Sequence, residues 1–257
     1  MKIKQIVYIF VLIGIIFGSY RIFNKYSYSK KEKYKTAMST TKNRIIAIIG
    51  DSWASRFPAE KLALKMKKDS FEVNNLGHPG ATTKEIYSDF FNKNDDTFSF
   101  QNIFDKNPQY CIVLAGVNDS ARHTGKKFYA YHMTLIIDYL LNKNITPIIL
   151  ELPKVGLKEN NDQKNIISKS ANIIFEELDD NGNIYNTISY RNELNQYLKN
   201  QHLDKKIIFI DYEKVSEGYN ESKKLYTDPL HLNDEGYDRL IEEIANVIHN
   251  DLKQHQQ

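Results

Sequence analysis

The run 45–49 is wholly apolar, mostly β-branched, and ends abruptly at Gly50-Asp51-Ser52. A short apolar run that stops at a turn signal is typical of a buried strand in a parallel sheet. Ligands of open α/β sheets bind beyond the carboxyl ends of the strands. The run therefore predicts that Ser52 lies at the functional edge of such a sheet, where it is a candidate nucleophile.

The same alternation of apolar strands and amphipathic helices continues along the chain. Strands are predicted over residues 44–49, 71–76, 110–115, 145–152 and 206–211. A helix is predicted over 54–68, after Ser52. Apolar residues at spacings of three and four predict two more helices, with apolar faces over 129–141 and 237–252, and Asn233 is the predicted N-cap of the last. Alternating βα units predict a parallel sheet with helices on both faces.

The connection 153–205 is longer than a simple crossover between two strands. It contains predicted helices around 165–178 and 189–201, with a turn at 179–183. Long insertions at the active edge of a sheet often determine specificity, and we expect that role here.

Composition excludes several classes of protein. The chain has 257 residues, enough for one α/β domain with a full core and a tail. Its net charge of +3 is too small and too dispersed to favour nucleic-acid binding. Its single cysteine, Cys111, excludes an internal disulfide.

The N-terminal 23 residues predict a hydrophobic helix. An uncharged, apolar run over 5–20 follows Lys2 and Lys4, and it lacks a good small-x-small cleavage site. We therefore favour an uncleaved membrane anchor over residues 1–23, with a cleaved signal peptide and secretion as the alternative. Residues 24–43 are polar and basic and predict a linker, which leaves 44–257 as the globular domain.

Two signals disagree about the orientation of this segment. Lysine and arginine are more numerous after the apolar run than before it, which favours retention of the domain inside the cell. The start Met-Lys-Ile-Lys is more typical of exported chains. We expect an extracytoplasmic domain.

Three polar segments follow later strands of the predicted sheet. They cover residues 75–83, 116–119 and 227–231. A serine nucleophile needs a base, and the base needs a group that orients it. His231 supplies an imidazole, the side chain best suited to proton transfer near neutral pH. Asp228, three residues earlier on a turn that contains Pro229, can accept the other ring N–H.

Attack on an ester also creates an oxyanion, which needs fixed hydrogen-bond donors. Candidate donors are the backbone N–H of Gly80, the side-chain amide of Asn118 and the backbone N–H of Ser52. Each residue also has a purely structural explanation. Gly77 and Gly80 can shape a turn, and the Asn and Asp residues can cap helices or turns. Their common position at one edge of the sheet favours catalysis.

These segments together resemble the SGNH, or GDSL-type, hydrolase family. Gly50-Asp51-Ser52 is similar to its first block, Gly80 to the glycine of the second, Asn118 to the asparagine of the third, and Asp228-Pro229-Leu230-His231 to the last. The resemblance covers about residues 44–250. It implies a flavodoxin-like three-layer α/β/α sandwich with a central, mostly parallel five-stranded sheet. It also implies Ser52, His231 and Asp228 as catalytic residues, and neither a metal nor a cofactor.

The second block departs from the family pattern. It reads His-Pro-Gly-Ala, where many members have serine or another small residue before the glycine. His78 either contacts the substrate or only shapes the turn. Trp53 and Asp119, which adjoin family residues, are further candidate substrate contacts.

The resemblance implies an acyl-transfer enzyme. We expect a serine esterase that removes a small acyl group, most plausibly acetyl, from a carbohydrate. The alternative is an O-acyltransferase on an envelope polysaccharide; a lipase, a thioesterase or a non-catalytic binding module is less favoured. All four blocks are intact, which argues against the binding module. Nucleotide binding is disfavoured because neither G-x-G-x-x-G nor G-x-x-x-x-G-K-[ST] occurs.

Overall fold

The computed structural model describes residues 44–92, 98–152, 187–212, 225–228 and 230–254. Its strands are β1 (Arg44–Gly50), β2 (Phe71–Gly77), β3 (Tyr110–Leu114), β4 (Thr146–Leu150) and β5 (Ile208–Ile210). They form one sheet in the order β2-β1-β3-β4-β5, and every pairing is parallel. This is the strand order of flavodoxin-like folds. The predicted five-stranded sheet is confirmed.

The helices form two groups that enclose the sheet. They are α1 (Ser52–Ser55), α2 (Ala59–Lys65), α3 (Thr83–Asp89), α4 (Gln101–Phe104), α5 (Val117–Ala121), α6 (Lys126–Asn142), α7 (Thr187–Asn200) and α8 (Asp234–Gln254). Helix α6 packs against α3 and α7, whereas α8 packs against α2. The result is the three-layer sandwich expected from the sequence.

The centre of the sheet is the core of the domain. Ile46, Ile48 and Ile49 in β1 are fully buried, as are Ile112 and Val113 in β3. A central parallel strand is covered on both faces, which is why these strands are continuous apolar runs without polar alternation. The stiff central strands hold the residues that follow them at fixed positions.

The prediction of one continuous helix over 54–68 is wrong. The chain forms the four-residue α1, stops, restarts at Ala59, and ends in a 3₁₀ helix over Lys67–Asp69. Pro58 is the N-cap of α2 and causes the break, since proline lacks the N–H that a continuous helix requires. Helix α1 is therefore too short to lend Ser52 the dipole of a long helix.

The C-terminal helix α8 forms where the sequence predicts it, with Asn233 as its N-cap. The Asn233 side chain accepts a hydrogen bond from the N–H of Gly236 at 2.9 Å, as an N-cap should. Lys61 of α2 bonds Asp238 of α8 at 2.6 Å. Lys65 pairs with Glu242 one turn further along. These pairs align α8 with the segment that follows the candidate nucleophile.

Several predictions fall outside the described residues. They are the anchor 1–23, the linker 24–43, the helix 165–178, the turn 179–183 and the role of Pro229. Within the described part of the chain, no helix has the length and apolarity needed to span a membrane. The helix predicted over 189–201 is α7.

Candidate active site

Ser52 lies directly beyond the end of β1, as the sequence predicts. The N–H of Asp51 donates to the Leu114 carbonyl of β3 at 3.0 Å, which extends the strand pairing by one residue. The Asp51 side chain then accepts from the N–H of Trp53 at 2.9 Å and caps α1. Ser52 is thus the first residue of a short helix whose start is fixed to two central strands.

The structure brings together the three residues predicted to be catalytic. His231 Nε2 lies 2.9 Å from Ser52 Oγ. His231 Nδ1 lies 2.7 Å from Oδ2 and 2.8 Å from Oδ1 of Asp228. A carboxylate facing Nδ1 keeps the proton on that nitrogen, so Nε2 of the neutral ring is free to accept a proton from the serine.

Asp228 is stabilised as a carboxylate. Burial raises its pKa, but the side chain of His231 and the backbone N–H groups of Leu230 and His231 lower it, and the pKa lies below its ordinary value. The N–H groups of Leu230 and His231 each donate to Asp228 Oδ1 at 2.9 Å. Arg56 lies 3.8 Å from Oδ2 and adds a positive charge on the same side.

Trp53, a predicted substrate contact, is only 3% exposed in this structure. Its indole N–H donates to the Leu230 carbonyl at 2.7 Å. Its own carbonyl accepts from the Tyr237 hydroxyl at 3.1 Å. Trp53 therefore connects the serine turn with the loop that carries His231, which fixes the distance between nucleophile and base.

Gly80 occupies a conformation that favours glycine. Its φ is +80°, and a Cβ added there would meet only the Arg122 guanidinium at 3.6 Å. The residue thus leaves open space in front of its backbone. Gly77 is required for a different reason, since a Cβ there would lie 2.1 Å from the Ser55 nitrogen. One glycine lets β2 approach α1, and the other shapes the exposed turn.

Asn118 lies between the serine turn and the Gly80 turn. Its side-chain amide donates to Asp51 Oδ2 and to the Ala81 carbonyl, each at 3.1 Å. These acceptors directly precede Ser52 and directly follow Gly80. The amide thus bonds the neighbours of the other two predicted oxyanion donors, and both of its N–H groups already have acceptors in the free protein.

Asp119, also a predicted substrate contact, is fully buried in this structure. Its two carboxyl oxygens accept from the N–H and the hydroxyl of Thr83, both at 2.8 Å. Burial raises the pKa of Asp119. The residue joins α5, which carries Asn118, to the start of α3 just after Gly80, and thereby fixes the two turns relative to each other.

His78 has both structural contacts and an accessible edge. Its backbone N–H donates to the Gly50 carbonyl at 2.8 Å, and its side chain is 25% exposed. The alternatives that the sequence leaves open, turn shaping and substrate contact, are therefore compatible in this structure.

Asp51 is a buried carboxyl with a strongly raised pKa. Burial raises its pKa to about 7, against the opposing effect of the hydrogen bonds from Trp53 and Asn118. The negative charge of nearby Asp119 acts in the same direction as burial.

This shift predicts a pH-dependent stability. Between about pH 4 and 7 folded Asp51 binds a proton that the unfolded chain has released, so the free energy of unfolding should fall as the pH rises. A shift of this size corresponds to roughly 4 kcal/mol at most. Urea unfolding across pH 4–8 should therefore give a flatter pH profile for Asp51→Asn than for the wild type.

The exposed carboxylate Glu60 provides the control, because Glu60→Gln should leave the slope of this profile unchanged. Parallel profiles for the wild type and Asp51→Asn would show that Asp51 titrates normally.

Three residues that contact predicted site residues are not identified as site residues by the sequence patterns. They are Arg56 beside Asp228, Asp89 beside His78, and Asp51 beside Asn118. Only Asp51 carried a signal, its place within Gly-Asp-Ser. Among the described residues, no group of three or more His, Cys, Asp or Glu side chains is arranged to hold a metal ion.

Comparison with known protein families gives a match that covers most of the chain. Residues 46–239 match the model of the GDSL-like lipase/acylhydrolase family. A search of curated protein sequences found no match to this chain.

Solved structures share the fold at low sequence identity. A GDSL-like lipase from Bacteroides thetaiotaomicron is 16% identical, with 90% of this chain and 98% of that one covered and a TM-score of 0.53. An acetyl xylan esterase is 18% identical, with 79% and 99% covered and a TM-score of 0.56. An acetylxylan esterase from Geobacillus stearothermophilus is 13% identical, with 81% and 95% covered and a TM-score of 0.55.

Proposed function

The chain belongs to the GDSL-like lipase/acylhydrolase family, and on that premise we propose that this carboxylic ester hydrolase removes acetyl or another small acyl group from a carbohydrate. The observation that carries the proposal is the continuous series of hydrogen bonds from Asp228 through His231 to Ser52. Such a series activates a serine for attack on an ester carbonyl.

In the first half-reaction Ser52 Oγ attacks the carbonyl carbon while His231 Nε2 takes the serine proton. Asp228 stabilises the imidazolium that forms. The tetrahedral intermediate then collapses, the bond to the alcohol oxygen breaks, and His231 gives its proton to the departing alcohol. The acyl group remains on Ser52 as an ester.

In the second half-reaction water attacks the acyl carbon and His231 accepts one of its protons. Collapse of the second intermediate breaks the bond to Ser52 Oγ, which regains the proton, and the carboxylic acid leaves. If a sugar hydroxyl replaced water at this step, the same residues would catalyse acyl transfer.

Three donors would stabilise the negative oxygen of each intermediate. They are the backbone N–H groups of Ser52 and Gly80 and the side-chain amide of Asn118. Because Asn118 already donates to Asp51 and Ala81, one of its N–H groups would have to be shared with the oxyanion. An interaction that strengthens only in the transition state raises kcat rather than lowering KM.

Two observations support a small acyl group. Trp53, Leu114 and Val117, the side chains beside Asp51 at the carboxyl ends of the strands, are 8% exposed or less. Within the described residues, this packed surface leaves little room for a long alkyl chain at that side of Ser52. Two of the structures with the same fold are acetyl xylan esterases, which supports acetyl in particular.

The predicted anchor at 1–23 suits an enzyme that acts on an envelope polysaccharide outside the cytoplasm. Secretion after cleavage is the alternative. Cell fractionation with added protease separates the two, and a protease-resistant, membrane-bound domain would contradict both.

A panel of esters tests the activity. The protein should hydrolyse p-nitrophenyl acetate and acetylated xylosides much faster than p-nitrophenyl palmitate, and it should release free acetate. Activity on the palmitate ester alone would contradict the proposed acyl group. Acetyl groups found on an added sugar instead of in solution would identify a transferase.

Replacing Asn118 by alanine should lower kcat by about 10²–10³ and change KM only a few-fold, because the lost donor acts on the transition state. Steady-state kinetics and the melting temperature should be measured on the same preparation.

Asn75 is a matched control, because its amide, like that of Asn118, donates two hydrogen bonds near the serine turn, here to the carbonyls of Ala54 and Phe57. Asn75→Ala should lower the melting temperature and leave kcat nearly unchanged. If Asn118→Ala behaved in the same way, Asn118 would have a structural role only.

A further inference from the structure

His78 forms a second histidine–aspartate pair at the catalytic edge of the sheet. Its Nδ1 lies 2.8 Å from Asp89 Oδ2. The Asp89 side chain is 8% exposed, whereas that of His78 is 25% exposed. The arrangement resembles the pairing of His231 with Asp228, but no serine hydroxyl lies opposite this ring within the described residues. Among those residues the pair has no nucleophile to activate.

The ring of His78 is held from several directions. It stacks on Phe98 with the ring centroids 3.8 Å apart and the planes 5° from parallel. The carbonyl of His78 accepts from the N–H of Ala81 at 3.0 Å, across the turn that contains Gly80. Its backbone N–H bonds Gly50, two residues before Ser52. The imidazole is thus fixed on the same turn as one of the proposed oxyanion donors.

The pairing determines which atom of the ring remains for a ligand. Nδ1 faces a carboxylate, so the neutral ring carries its proton there and Nε2 is a hydrogen-bond acceptor. Within the described part of the chain, Nε2 of His78 has no hydrogen-bond partner. A fixed acceptor on a partly exposed ring suits a hydroxyl donor.

The charges around this turn favour a neutral ligand over an anion. Arg122, which lies over Gly80, is 3.4 Å from Glu85. His78 in turn faces Asp89. Both of these basic groups have a carboxylate beside them, so an anionic ligand bound between them would meet compensating negative charge.

We propose that His78 binds a hydroxyl group on the alcohol portion of the substrate and so selects esters of polyhydroxylated alcohols. The inference rests on the proposed function and specifies how a carbohydrate is recognised. Asp89 and Phe98 are positioning residues that orient the ring.

The test compares three acetyl esters. A mono-acetylated methyl xyloside offers free hydroxyls, the fully acetylated methyl xyloside has none, and p-nitrophenyl acetate has no sugar. The variant His78→Asn keeps an N–H that can donate to Asp89 but removes Nε2. It should lower kcat/KM about 3- to 10-fold for the mono-acetylated sugar, the effect expected of one neutral hydrogen bond. The other two esters should change less than two-fold.

His78→Gln, which extends an amide towards the position of Nε2, should restore part of the loss. Equal losses on all three esters would overturn the inference in favour of a structural role for the turn. Unchanged kinetics on all three would overturn it as well. If the wild type cleaved none of the acetyl esters, the proposed function itself would fail.

Discussion

Replacing Ser52 by alanine is expected to abolish turnover, with kcat falling by about 10⁶, as it does when the serine of subtilisin is removed. The reason is that the variant cannot form the acyl-enzyme, while the hydrogen bonds of the turn remain. A fluorophosphonate should add once to the wild type and not to Ser52→Ala. Intact-mass spectrometry and steady-state kinetics measure the two effects.

Ser55 provides the matched control, since it lies in the same short helix and is also partly buried. Ser55→Ala should still be labelled once. An adduct that persists in Ser52→Ala would assign the nucleophile to another residue.

Replacing His231 by alanine should also lower kcat by about 10⁶, because Ser52 would lose the base that takes its proton. Asp228→Asn should cost less, about 10⁴, since Asp228 only orients the ring and stabilises its charge. Stopped assays with the best ester from the panel should be run on both variants, with melting temperatures measured in parallel.

His249 is a suitable comparison because its Nε2 pairs with Asp69 at 2.8 Å, on the C-terminal helix. His249→Ala should keep near-native kcat. Near-native turnover in His231→Ala would point to a different base, and His78, with its own aspartate, would be the first to examine.

The strands could be predicted closely from the sequence because their burial leaves a direct signature. The apolar run in β1 and the run 110–114 of β3 reflect strands covered on both faces. Gly-Asp-Ser and the later Asp-x-x-His could likewise be placed at one edge, since the carboxyl ends of parallel strands meet there. The continuous helix predicted after Ser52 is wrong because Pro58, within the predicted range, interrupts it.

Side-chain partners could not be predicted because they depend on contacts between distant parts of the chain. Trp53 is 177 residues from Leu230, so nothing near Trp53 in the sequence indicates that its N–H is already bonded. Asp119 was expected at the surface of the site because it follows Asn118, yet the helical turn directs the two side chains to different partners. The sequence indicates which strands and helices lie side by side, but not which polar atoms form hydrogen bonds with each other.

The separation of 179 positions between Ser52 and His231 also bears on biosynthesis. A ribosome delivers the serine well before the histidine. The loop that holds His231 is fastened through Leu230 to Trp53 and through Tyr237 to the Trp53 carbonyl. A nascent or prematurely terminated chain that lacks this segment therefore carries the serine without its base, and becomes chemically competent only once the segment with His231 has been made and docked.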